Sequence, residues 1–185
     1  MKRTNQLIEK IQAGNNEVYR ELMQNYYATV QRFAFQCGVQ QSDLDDVTQE
    51  VFIKLYRFIE KYRDQQFTTW LYKITLNTAR DFYRKKSKQQ EKVARLQMQV
   101  DEQQNSAIDF LLQLDEEDRE LHMAILRLEE NYRYPIVLYY FHDMTMPEIA
   151  KVVGLNVSNV KVRLMRARSK LKKILQLEEE AMYES

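Results

Sequence analysis

The sequence predicts an all-α protein of two helical domains joined by a polar linker, the C-terminal one containing a helix-turn-helix. Three observations carry this. Only three glycines and two prolines interrupt 185 residues, so little in the composition opposes continuous helix. Apolar residues recur at three- and four-residue spacing along most of the chain, the period of a buried helical stripe. Residues 145–171, TMPEIAKVVGLNVSNVKVRLMRARSKL, place two helix-start signals on either side of a glycine. A chain of this length exceeds one small bundle and suits two domains of about 70 to 90 residues each.

Leu7, Ile8 and Ile11 form the stripe of a first helix, and Val18, Leu22, Tyr26, Val30 and Phe33 that of a second. The run Ala13-Gly14-Asn15-Asn16 breaks the two apart, and Gly38 ends the second. Ser42 is expected to cap a third helix from about Asp43 to Ile59, its first turn rich in the acids that the helix dipole favours. The buried stripe there is Leu44, Val47, Val51, Leu55 and Phe58, widened by Phe52 and Tyr56. After the polar loop 62–66 a fourth helix is expected from Thr68 to Lys86, with Trp70, Leu71, Ile74 and Thr78 inward. Apolar residues then thin out and resume at Ile108, continuing through Leu121, Ile125 and Leu128. Pro135 is read as a break that opens a helix over about 135–142. The expected division is 1–86, a linker 87–107, a second domain 108–177 and an acidic tail 178–185.

Within 145–171, Thr145 and Glu148 have the spacing of a capping box, and Pro147 falls in the first turn, where its missing N–H costs nothing. Ala150 is small where two helices should press together, and Gly154 supplies the positive φ of a tight turn. Asn156 can cap the next helix, whose Val160 and Leu164 face inward. That helix carries Lys161, Arg163, Arg166, Arg168, Lys170, Lys172 and Lys173 with no acid among them. A helix so basic, presented by a tight turn, suits the major groove of DNA.

Net charge is only +1, which excludes a uniformly basic nucleic-acid coat. The charges are segregated instead: bases dominate 80–95 and 161–173, acids 101–120 and 178–184. The stretch ARDFYRKKSK mixes aromatic and basic residues, as a single-stranded DNA surface does, though cations at a helix C-terminus also complement the dipole. The single cysteine, Cys37, fits a reducing cytosol and a buried apolar role. No apolar run is long enough to span a membrane, and the first ten residues lack the core of a secretory signal, so direct membrane insertion is not expected and the location is cytoplasmic. His122 and His142 lack partners at metal-ligand spacing, and neither a phosphate loop nor a nucleophile motif occurs. Asp43, Asp45, Asp46 and Glu50 crowd a helix start and suit docking better than acid–base work. No enzymatic activity, catalytic residue, metal or cofactor is expected.

Three separated patterns then resemble one family. Asp45-Asp46-Val47-Thr48-Gln49-Glu50-Val51-Phe52 is similar to the core of a sigma factor's polymerase-binding helix. Phe67-Thr68-Thr69-Trp70-Leu71-Tyr72-Lys73-Ile74, followed by Asn77, Asp81 and Arg84, looks like the adjoining promoter-melting helix. The segment ending Val160-Lys161-Val162-Arg163-Leu164-Met165-Arg166-Ala167-Arg168 resembles the domain that reads the upstream promoter element. Their order and spacing match the short extracytoplasmic-function (ECF) sigma factors of the sigma-70 superfamily over roughly residues 15–175.

The resemblance implies partners and roles. Asp46, Gln49 and Glu50 would meet the β′ clamp of bacterial core RNA polymerase, with Phe52 or Leu55 as an apolar anchor; the β flap would meet the second domain. Tyr62, Ile74 and Asn77 would form the pocket for a base flipped from the minus-ten element, beside Trp70, and Arg80, Arg84 and Lys85 would hold phosphates. At the minus-thirty-five element, Asn156, Ser158 and Asn159 would sit at the helix N-terminus, and Lys161, Arg163, Met165, Arg166 and Arg168 would contact base edges or flanking phosphates. An anti-sigma factor is the further partner implied. The chain departs from the family pattern at Asn159 in place of threonine, Val162 in place of a small polar residue, and Asp143 in place of glycine. The competing expectation is an autonomous helix-turn-helix regulator that binds duplex DNA as a dimer; a third is a helical adaptor whose basic helix binds acidic proteins.

Overall fold

Polar breaks and glycine turns set the helix boundaries. The structure, a computed structural model, describes residues 2–63, 66–94 and 116–183, and all regular structure among them is helical. The elements are α1 (Lys2–Gln12), α2 (Glu17–Gln36), α3 (Gln41–Phe58), a 3-10 turn (Ile59–Lys61) and α4 (Phe67–Ala94), followed by α5 (Glu116–Leu126), α6 (Glu130–Tyr140), α7 (Met146–Val153) and α8 (Val157–Tyr183).

Several boundaries differ from the sequence reading for identifiable reasons. Ser42 does not cap α3. The N-cap is Gln40, which makes no side-chain cap bond; its backbone N–H donates to the Tyr83 hydroxyl at 2.8 Å, and Lys86 pairs with Asp43 at 2.7 Å. Tertiary contacts from α4 therefore fix this helix start. Phe58 is 40% exposed, because the 3-10 turn tightens the backbone and brings Ile59 inward in its place. α4 continues to Ala94 through the first part of the expected linker, since its Lys and Gln residues propagate helix and no glycine or proline stops it. The rest of the linker and the apolar residues 108–115 lie outside the described residues.

Pro135 does not begin a helix; it sits inside α6. It costs one backbone bond, on the order of 3 kcal/mol, but Tyr134, Ile136, Val137 and Leu138 are all buried around it. Burial of four such side chains, at about 1.5–3 kcal/mol each, outweighs the loss. α8 likewise runs without a break through the acids at 178–180. Before the helix-turn-helix, Asp143 adopts φ +49°, the left-handed turn for which glycine is the usual choice and which Asp tolerates better than most residues.

Two hydrophobic clusters form. The first joins Leu22 and Val30 of α2, Val47, Val51 and Leu55 of α3, and Leu71 of α4. The second joins Val137 and Leu138 of α6, Ile149 of α7, and Val160, Leu164 and Ala167 of α8. The second cluster also contains Phe33, Cys37, Tyr72 and Leu76, so α2 and α4 bury a further face against the C-terminal half. A polar connection crosses this junction. His142, between α6 and α7, lies 2.8 Å by Nδ1 from the Tyr72 hydroxyl and 2.8 Å by Nε2 from Gln36 Oε1. A neutral imidazole satisfies both contacts: Nε2–H donates to the amide oxygen, and Nδ1 accepts from the tyrosine.

Burial pushes the His142 pKa down to about 4, helped by the Arg32 cation and opposed by Asp143. The unfolded ring would take up its proton near 6.5. The stability that depends on the neutral ring is therefore complete above 6.5 and drains away as pH falls from there toward 4. Urea midpoints of the wild type should drop between about pH 7 and pH 5.5, and His142→Gln should flatten that drop. An unchanged wild-type midpoint across the interval would contradict this burial.

Candidate nucleic-acid interface

The outer face of α3 is polar because every fourth or third residue points away from the first core. Asp46 and Gln49 are exposed and Glu50 is half-buried. Phe52 and Leu55, expected as possible anchors, are instead core residues at 2% and 0% exposure. Phe52 stacks on Tyr27 with ring centroids 6.2 Å apart. It falls on the core side of the helix, in line with Thr48 and Leu55, so no partner can reach it. The large apolar side chains that α3 leaves exposed are Ile53, 52% exposed and one turn beyond Gln49, followed by Tyr56 and Phe58 at 45% and 40%. The acid beside this face is partly occupied: Asp45 accepts from Gln31 at 2.8 Å and from the Tyr27 hydroxyl at 3.1 Å.

α4 turns a second surface outward. Trp70, Ile74 and Asn77 follow one another at helical spacing, the first two half-buried and the third exposed. Tyr62 is not an open aromatic wall. It is buried at 9% exposure, its ring 5.0 Å from Trp70 and 6.1 Å from Phe67. Trp70 is the aromatic that remains accessible beside Asn77. Further along, Arg84 pairs with Asp81 at 3.1 Å, and Asp81 also holds Lys54 at 3.4 Å. Arg80 leans on the C-terminal half: its guanidinium lies 4.9 Å from the Tyr134 ring and 3.9 Å from the Glu130 carboxylate. Lys85 is exposed.

The helix-turn-helix forms as its sequence signals require. Thr145 donates from backbone N and Oγ1 to Glu148 Oε2 at 2.7 and 2.6 Å, the reciprocal half of the capping box. Gly154 ends α7 at φ +73°, and Asn156 Oδ1 accepts from the Asn159 N–H at 2.7 Å, holding the first turn of α8. Val160, Leu164 and Ala167 are buried, which turns Ser158, Lys161, Met165 and Arg166 to the exterior. Arg163 is half-buried at the edge of that surface. Arg168 is exposed but held against Tyr139 and Tyr140, 5.9 and 5.4 Å from their rings, on the flank facing α6.

A groove of about 460 Å³ separates α5 and α6 from the later turns of α8. Leu121, Ile125, Phe141, Leu171 and Leu175 give it an apolar lining, and Arg168 and Lys172 a basic rim. Sequence reasoning missed this groove and Ile53. Ile53 was readable, since it is out of phase with the α3 core stripe; the groove depends on how three helices pack. Among the described residues no cluster of three potential metal ligands occurs, and no helix is long and apolar enough to cross a membrane.

Known proteins resemble the chain over both of its halves. Residues 22–89 match the family model for sigma-70 region 2, and residues 118–171 that for sigma-70 region 4. The chain is 35% identical over 140 residues to the RNA polymerase sigma factor SigV of Bacillus subtilis, covering 74% of this chain and 78% of that protein. It is 30% identical over 170 residues to the ECF RNA polymerase sigma-E factor of Escherichia coli, covering 88% of each. Among solved structures, CnrH in complex with the cytosolic domain of CnrY superposes with a TM-score of 0.67 at 27% identity, over 92% of this chain and 96% of that one.

The opposite burial of two neighbouring residues on α3 yields a direct check. Phe52→Ala should cost about 3–5 kcal/mol of folding stability by emptying core volume. Ile53→Ala should leave it within about 0.5 kcal/mol. Equal urea midpoints for the two variants would place Phe52 outside the core.

Proposed function

The chain belongs to the ECF sigma factors of the sigma-70 family, and from that premise we propose how its surfaces divide the work of a factor that directs core RNA polymerase to promoters and initiates transcription. The observation that carries the reading is the meeting of two unlike faces on one small domain. An acidic and amide face with an exposed apolar residue stands on α3, and a tryptophan–isoleucine–asparagine strip stands on α4.

The α3 face, Asp46, Gln49 and Glu50 with Ile53 as its apolar anchor, would dock on the β′ clamp. Charges there steer a basic partner, while Ile53 contributes the desolvated contact. The β flap would occupy the apolar groove beside α8, whose basic rim favours a helix with acidic flanks. The division of labour proposed is region 2 work within 1–86 and region 4 work within 108–177.

On α4, Trp70 would stack against an unpaired base of the minus-ten element while Asn77 bonds its edge and Ile74 excludes water. Tyr62 would act mainly by bracing Trp70. Arg80, Arg84 and Lys85 would take the strand phosphates, for which Arg80 must leave Tyr134 and Glu130. Opening would then be driven by base capture, with no catalytic activity in this chain. At the minus-thirty-five element the α8 N-terminus, with Asn156, Ser158 and Asn159, would meet phosphates, and Lys161, Arg163, Met165 and Arg166 would face the groove. Arg168 would contribute a flanking phosphate contact from its place beside Tyr140. Two moderate DNA contacts on one chain raise each other's effective concentration.

An anti-sigma factor is the proposed inhibitor, and the cytoplasm the proposed location. The likeness to CnrH, which was solved with the cytosolic domain of CnrY, supports a protein partner of this kind. An autonomous dimeric regulator would leave the α3 face without a task.

Reconstitution with bacterial core polymerase and run-off transcription from genomic fragments tests the whole reading; selective initiation should appear only when the chain is added. Ile53→Asp should weaken core binding by about 1–3 kcal/mol in a fluorescence titration. Asn77→Ala should leave core binding intact yet lower open-complex yield, and an unchanged yield would refute its role. Arg166→Ala should cost about 1–3 kcal/mol at the upstream element if it reads a base.

A further inference from the structure

Where the two halves meet, a cavity of about 460 Å³ opens beside α4 and α6. Arg80 and Arg84 line it from α4, Arg133 from α6, and Gly38 borders it from the turn after α2. The arginines come from both halves of the molecule, and their charges are poorly balanced. Among the described residues Arg133 donates to carbonyl oxygens alone, Nε to Leu128 and Nη1 to Cys37, each at 3.2 Å. Glu130 is the acid that lines the cavity, and it reaches Arg80 only at 3.9 Å. Asp81, the partner of Arg84, is shared with Lys54. Four cations, Lys54 with the three arginines, thus face two carboxylates, an excess of two positive charges.

The turn is shaped for this arrangement. Gly38 has φ +101°, and a Cβ at that position would collide with Arg133 Nη1. The guanidinium can lie across the backbone because residue 38 has no side chain. Placed there, Arg133 faces the same space as Arg80 and Arg84 and carries no neutralising partner among the described residues.

We propose that this cavity binds a small phosphoryl oxyanion between the two halves, and that such an anion competes with the phosphates of the opened promoter strand. Guanidinium forks match phosphoryl oxygens bidentately, and an excess of two positive charges calls for a multivalent anion. The bound anion would displace Glu130 from Arg80. By joining Arg133 to Arg80 and Arg84 it would also hold the halves together, stabilising the packed arrangement. The binding step stands on the cavity alone; the competition rests on the assignment of Arg80 and Arg84 to strand phosphates.

Inorganic pyrophosphate is the probe. Titrated calorimetrically into the full chain, without polymerase or DNA, it should bind saturably and raise the melting temperature. Arg133→Gln should weaken binding at least about tenfold, and Arg133→Lys should fall between, keeping the charge and losing the fork. The exposed Arg84→Gln, which cannot collapse a core, should also weaken it and guards against misfolding of the Arg133 variants. No saturable heat, or equal affinity for wild type and a folded Arg133→Gln, overturns the site and leaves the promoter reading untouched. In a second arm, pyrophosphate should lower wild-type affinity for a single-stranded minus-ten oligonucleotide and have no such effect on Arg133→Gln. Saturable binding without competition overturns the competitive half, and with it the assignment of Arg80 and Arg84 to the strand.

Discussion

Because α4 carries two buried faces, neither half of the molecule satisfies it alone. Leu71 and Ala79 belong to the first core, whereas Tyr72 and Leu76 belong to the second. At about 1.5–3 kcal/mol for each large apolar side chain, exposing Tyr72, Leu76 and Phe33 together would be a serious loss for a protein of ordinary stability. The C-terminal half covers that face. His142 completes the junction by accepting from Tyr72 and donating to Gln36, with burial holding its ring neutral. From this packing follow the placement of α6 beside Arg80, the cavity around Arg133, and the buried state of Cys37, whose thiol burial pushes well above its usual pKa.

The parts of the fold that the sequence made legible are those decided locally. The capping box at Thr145 and Glu148, the left-handed Gly154 and the Asn156 cap each need only a few neighbouring residues, and each formed as its chemistry dictates. Stripes such as Val47, Val51 and Leu55 were readable for the same reason. What could not be read was decided between elements. Ser42 offered a better cap than Gln40, yet Tyr83 and Lys86 on α4 set where α3 begins. Pro135 reads as a helix breaker, but burial around it exceeds its local cost. On α3 the apolar period does put Ile53 outside the stripe, but the aromatic residues Phe52, Tyr56 and Phe58 blurred how far the buried face extends.

For the candidate surfaces the same distinction holds. The basic character of α8 is a property of composition, so Lys161 and Arg166 were identifiable from the residues themselves. The fate of each cation was not. Arg168 rests against two tyrosine rings, Arg80 against a third, and Arg133 lies over a glycine turn. Guanidinium groups stack on aromatic faces and bond carbonyls as readily as they meet phosphates. Counting positive charge therefore overstates the number free to bind a polyanion, and the count must be corrected by what each group already touches.

That correction makes the two proposed DNA surfaces unequal in the packed arrangement. Ser158, Lys161, Met165 and Arg166 lie on the exterior of α8, while Arg80 at the other site is engaged by Tyr134 and Glu130. A duplex contact at the upstream element asks nothing of the junction between the halves. Capture of an unpaired strand along α4 asks for at least one of its contacts to be given up. On the proposed division of labour the energetic order is then set by the protein itself: duplex binding can precede opening, and the cost of freeing Arg80 is charged to the melting step. A ligand or partner that strengthens the junction would act on that step first, because that is where its interactions are lost.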